Sequence, residues 1–156
     1  MAAANPVLHF GHAHAHLGQL TRELAALLRE DVESIGSEAR DELPALASEL
    51  RDELLEHFAN EEEGLFPFIR RYFPEKRDAV DRLQASHDII CGALVRFSFL
   101  AERSPEISND ARLAYQRFEA AYGNHSRDEA ELLDEFAQVV TPAQQAELET
   151  LLSELG

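Results

Sequence analysis

The chain has 156 residues, 45% hydrophobic and 28% charged, which is enough apolar material for a packed core and the size of one domain at roughly 100–200 residues each. Fourteen Lys and Arg against thirty Asp and Glu give a formal net charge of −16, a sign that argues against nucleic-acid backbones and anionic membrane surfaces as partners. The single cysteine, Cys91, excludes an internal disulfide and predicts a reducing, cytoplasmic setting. The stretch from Met1 to Phe10 has no basic or long apolar segment, so no signal peptide is expected. The longest apolar run, Ile89 to Val95, falls far short of the roughly 20 residues of a membrane span.

Glycine and proline divide the chain into long segments with a period near 3.6. Asn5-Pro6 resembles a cap with a first-turn proline and opens a helix that runs to Ile35-Gly36. The polar stretch Ser37 to Glu42 precedes Leu43-Pro44, where a second helix begins and continues to about Tyr72. Pro74 separates it from a third helix, Glu75 to Arg103. Ser104-Pro105-Glu106 breaks the chain again, and a fourth helix follows from Asn109 to Val139. Thr141-Pro142 caps a short terminal helix ending near Leu155. No segment alternates with period two. The expected fold is all-α, an up-down-up-down four-helix bundle over about 5–139 plus a terminal helix over about 142–155, with the whole chain 1–156 as one domain.

Polar residues interrupt the apolar stripes. The second helix turns Leu43, Leu46, Leu50, Leu54, His57, Glu61, Leu65 and Phe68 inward. The third places Val80, Leu83, His87, Ile90, Leu94 and Phe97 on its stripe, and the fourth Ala114, Phe118, Ala121, His125, Glu129, Leu132 and Phe136. A histidine thus sits inside each stripe, followed in two of them by a glutamate one turn later. In the first helix, whose stripe is Leu17, Leu20, Leu24, Leu27 and Leu28, His14 and His16 flank the apolar face and spacing does not choose between them. A buried carboxylate needs a counter-charge, and no Lys or Arg stands on these stripes. A pair of metal ions meets the need, since imidazole and carboxylate suit iron, manganese or zinc. Glu62 and Glu63 read as a solvated face.

The segment Glu56-His57-Phe58-Ala59-Asn60-Glu61-Glu62-Glu63-Gly64-Leu65-Phe66-Pro67, with Ser86-His87 and His125-Ser126-Arg127-Asp128-Glu129, resembles the hemerythrin-like, or HHE cation-binding, family over about residues 8–138. In that family the first-helix histidine is followed three residues later by leucine, which favours His14 with Leu17. The resemblance implies a bundle around a non-haem di-iron centre ligated by His14, His57, Glu61, His87, His125 and Glu129. It further implies that both glutamates bridge, together with an oxo or hydroxo group. Animal hemerythrins carry a fifth histidine four residues after the third-helix ligand, and Cys91 stands there instead. Ferritin-like di-iron bundles use Glu-x-x-His pairs, and that signature is absent: Leu54, Gln84 and Tyr122 precede His57, His87 and His125 by three residues.

The expected function is therefore binding or reduction of a small ligand (dioxygen, nitric oxide or peroxide) at a di-iron centre. The alternative is an iron-handling or sensing module that acts through a protein partner without turnover. Its output surface would be the terminal segment, where Leu148, Leu151, Leu152 and Leu155 share one face; packing of that face back onto the bundle is the other reading of the same pattern.

Overall fold

The computed structural model describes residues 6–29, 37–103 and 107–155, with side chains described from residue 15 in the first helix and from residue 42 in the second. In chain order the elements are α1 (Pro6–Arg29), α2 (Ser37–Asn60), one π turn (Glu61–Leu65), α3 (Phe66–Tyr72), a 3₁₀ turn (Pro74–Lys76), α4 (Arg77–Arg103), α5 (Asn109–Val139) and α6 (Pro142–Leu155). There is no strand among the described residues. The helices close a ring in which α1 packs on α2, α2 on α4, α4 on α5 and α5 on α1. This is the four-helix bundle that the stripes predict. No described helix is long and apolar enough to cross a membrane.

Local chemistry sets most of the helix ends. Ser108 caps α5, its side chain accepting from the Ala111 N–H at 3.1 Å. At α6 the Gln144 N–H donates to Thr141 Oγ1 at 3.1 Å and the Thr141 N–H donates to Gln144 Oε1 at 3.0 Å, a reciprocal capping box ahead of a first-turn proline. Arg112 Nε donates to the Leu28 carbonyl at 3.0 Å, and Tyr115 donates its hydroxyl proton to the Thr21 carbonyl at 2.6 Å. These two bonds tie α5 to the last turns of α1.

One expected boundary lies outside the described residues, and two differ from the sequence expectation. The first helix is described only to Arg29, and the continuation to Gly36 lies outside the described residues. The second helix begins at Ser37 rather than at Leu43-Pro44, so Pro44 lies inside it. Glu38, Ala39, Arg40 and Glu42 all favour helix, and Pro44 removes a single hydrogen-bond donor from an early turn. The stretch read as one helix to Tyr72 is interrupted by the π turn, where the Phe66 N–H reaches back five residues to the Glu61 carbonyl. That extra residue per turn brings Gly64, Leu65 and Phe66 all to buried positions.

The core is in two parts. One cluster takes Leu17, Leu20, Leu24, Leu50, Leu54, Phe58, Ile90, Leu94, Phe97 and Phe118 among others. The second takes Leu65, Phe66, Phe68, Ile69, Val80, Leu83, Leu132, Leu133, Phe136 and Leu148. Along α4 the sequence passes from the second cluster through His87 to the first, and along α5 from the first through His125 and Glu129 to the second. Buried ionisable residues therefore form a layer between two apolar halves.

Candidate metal centre

Five of the six expected ligands converge in that layer. His57, His87 and His125 are buried, and Glu61 and Glu129 are fully buried at 0% exposure. Helical spacing of four brings His57 next to Glu61 on α2 and the π turn, and His125 next to Glu129 on α5. The donor atoms fall into two overlapping sets, His57 with Glu61 and Glu129, and Glu61 with His87 and His125. Glu61 belongs to both. Its Oε1 lies 2.6 Å from His57 Nε2, while its Oε2 lies 3.1 Å from His87 Nε2 and 3.9 Å from His125 Nε2. Glu129 divides in the same sense, with Oε1 3.8 Å from His57 Nε2 and Oε2 3.1 Å from His125 Nε2. Each carboxylate thus turns one oxygen toward the His57 side and the other toward the side of His87 and His125.

Hydrogen bonds behind the rings fix which nitrogen faces inward. Ser86 donates its only hydroxyl proton to the Leu83 carbonyl at 2.6 Å, so its oxygen is left to accept from His125 Nδ1 at 2.6 Å. Glu62 accepts from His87 Nδ1 at 3.0 Å. With the proton on Nδ1, a neutral imidazole presents the Nε2 lone pair to the layer. This is the tautomer that a metal ligand needs, held by the outer partners that orient such ligands. Phe58 stacks on the His87 ring with centroids 3.7 Å apart, and Phe66 packs against that ring at 5.6 Å.

The electrostatics call for a proton or a metal ion within this arrangement. Burial pushes the Glu61 carboxyl well above the usual carboxylate range; the hydrogen bond with His87 opposes that shift, and the neighbouring Glu129 charge reinforces it. Glu61 Oε1 and His125 Nε2 make no hydrogen bond although both are buried. Acceptor atoms facing one another across a buried layer repel unless a proton or a metal ion lies between them.

A family model for the hemerythrin HHE cation-binding domain matches residues 6–137. The chain belongs to the hemerythrin HHE cation-binding family. Comparison with curated proteins and with solved structures gave no match. The imidazole and carboxylate donors of this hemerythrin-type layer, with their inward lone pairs, fit the cations for which the family is described.

Other expectations fare unevenly. The His14 side chain lies outside the described residues. His16 is exposed and pairs with Glu53 Oε1 at 2.8 Å, on the surface between α1 and α2. Glu62 lies on the solvated face as expected, and its exposed carboxylate also reaches over the rim of the layer to His87 Nδ1. Ser86 was visible only as the residue before His87, and nothing in the spacing shows that it serves the histidine of the neighbouring helix. Cys91 is half-buried against the first apolar cluster and belongs to no donor cluster among the described residues. Burial pushes its thiol up, helped by the charges of Asp88 and Glu62.

The apolar face of α6 packs onto the bundle. Leu148 is buried, and a Cβ on Gly64 would lie 2.9 Å from Leu152 Cδ2 and 3.1 Å from Leu155 Cδ1. The closeness of these leucines explains why the π turn carries a glycine at this point.

Proposed function

We propose that the buried layer holds two iron ions bridged by Glu61 and Glu129, and that the protein binds or reduces dioxygen, nitric oxide or peroxide there. The observation that supports this reading is the division of each carboxylate between the two sides of the layer. One position takes His87 and His125. The other takes His57, with His14 of α1 as the proposed remaining ligand. Bound iron would supply redox electrons and an open position for the small ligand; manganese and zinc suit the same donors.

The residues of the chain prepare for that role. Glu62 and Ser86 hold the Nδ1 protons outward, so His87 and His125 offer Nε2 at no further cost of reorganisation. Phe58 and Phe66 pack on the His87 ring, and all three are buried. Anaerobic reconstitution with Fe²⁺ followed by metal analysis should give two ions per chain. The oxidised, reduced and ligand-exposed proteins should then differ in their electronic spectra. Loading to one ion or fewer would overturn the proposal.

A second reading, iron handling or sensing through a protein partner, draws support from α6. This helix packs against Gly64 in the same π turn that supplies Glu61, so ligand geometry and α6 docking share a backbone segment. A protease-accessible α6 in the metal-free protein, protected on loading, would favour this reading. Equal protection in both states, together with steady turnover of peroxide or nitric oxide, would rule it out.

A further inference from the structure

A second group of metal-type donors lies outside the buried layer. His16 on α1 and Glu49 and Glu53 on α2 bring one ligating atom each to within 4.8 Å of one another. The set combines a nitrogen donor with two carboxylates from two helices, a combination that suits zinc, manganese or ferrous iron. Metal–donor bonds of about 2.0–2.2 Å hold donors roughly 3–4.4 Å apart, so side chains lying within 4.8 Å of one another need only adjust their rotamers to close on an ion.

Its position is what distinguishes it from an ordinary surface ion pair. Glu49, Glu53, His57 and Glu61 follow one another at intervals of four residues, so they form one continuous ridge along α2 and into the π turn. Each step advances about 6 Å along the axis. Exposure falls along the row, from exposed Glu49 and half-buried Glu53 to His57 at 4% and Glu61 at 0%. Every residue in the row can bind a cation. The net charge of −16 draws cations to the surface.

We propose that His16, Glu49 and Glu53 form a surface site for a divalent cation that passes the ion along the Glu53–His57 step into the buried layer. The site takes an ion that keeps some of its water; the buried layer takes it with its water removed. His16 is a ligand of this outer site and not of the inner one. The capture step stands on its own geometry, and the delivery step rests on the buried layer holding metal.

The test uses Mn²⁺ alone as the probe, counted by loss of the free-ion electron paramagnetic resonance signal. The unaltered protein should bind one more Mn²⁺ per chain than H16A or E53Q, with at least a tenfold weaker outer site in each variant. Both variants should reach the same final occupancy of the buried layer but fill it several-fold more slowly in stopped-flow mixing. E129A, which disables the inner layer, should retain the outer Mn²⁺, so loss of the inner reading and loss of the outer one are told apart. Identical Mn²⁺ stoichiometry in the unaltered protein and both variants would overturn the site, and identical filling rates would overturn delivery.

Discussion

Glu62 and Ser86 act on the layer without entering it, and their effect should appear in affinity. Removing an outer hydrogen-bond partner of a ligating histidine typically costs 10–100-fold in metal affinity. Glu62→Ala and Ser86→Ala should each weaken binding by about that factor in a chelator competition, while Glu63→Ala, on the exposed side of the π turn, should leave it unchanged. Equal behaviour of Glu62→Ala and Glu63→Ala would mean that the His87 contact does not orient the ring. Glu61→Ala or Glu129→Ala should lower metal content far more, because each removes donors from both sides of the layer. The same scale decides the place of Cys91. Its thiol is pushed up by burial and by the charges of Asp88 and Glu62, and a neutral thiol is a poor ligand. Cys91→Ser should therefore keep the full metal content, and an intense sulfur-to-metal absorption band lost in that variant would show the opposite.

At the scale of the element, α6 depends on one leucine more than its neighbours. Leu148 is 1% exposed, and truncating a leucine so buried costs about 2–5 kcal/mol. Leu148→Ala should lower stability by that order in denaturant unfolding, whereas Ser153→Ala, on an exposed position, should not. This helix was legible because its start is set by neighbouring residues alone: Thr141 and Pro142 carry the signal, and Gln144 completes the cap in the structure. The stripes of α4 and α5 were readable for a similar reason, since burial repeats there with an unbroken helical period. The π turn was not. Glu61-Glu62-Glu63-Gly64-Leu65 suits an α-helix equally well, and the extra residue is selected by packing of Phe66 against His87 and of α6 against Gly64. Pro44 misled in the other direction, as a residue that usually opens a helix but here sits in its second turn. The candidate ligands His57, Glu61, His87, His125 and Glu129 were legible because charge inside an apolar stripe is conspicuous. Their outer partners were not, because Ser86 and Glu62 stand among ordinary polar residues and reach across to another helix.

For the whole molecule, a charged layer between two apolar halves makes stability depend on what fills it. In the metal-free protein the Glu61 carboxyl is raised above its ordinary value of 4.5, so the folded state holds a proton that the unfolded chain has released. Stability is then greatest below that ordinary value and is lost as pH rises through the raised one. The loaded protein should show the reverse slope, because metal binding requires deprotonated ligands and its binding energy is folding energy. Thermal unfolding followed as pH rises from 4.5 should therefore show the metal-free protein losing stability while the loaded protein gains it. Glu61→Gln should flatten the metal-free slope. A metal-free protein as stable as the loaded one across this range would contradict the layer's role. The π turn has one more consequence, which concerns how the two halves stay in phase. A straight α-helix advances about 100° per residue, so a single added residue rotates everything beyond it by that angle and works like the offset between the scales of a vernier. The row that leads to Glu61 starts beside Leu50 and Leu54 of the first apolar cluster, Phe66 and Ile69 pack in the second, and the π turn joins the two. Deleting Glu63 would remove the offset: amide exchange should stay slow in α2, where the ridge to His57 is unchanged, and rise in α3 and α6, whose apolar faces would be turned away from their seats.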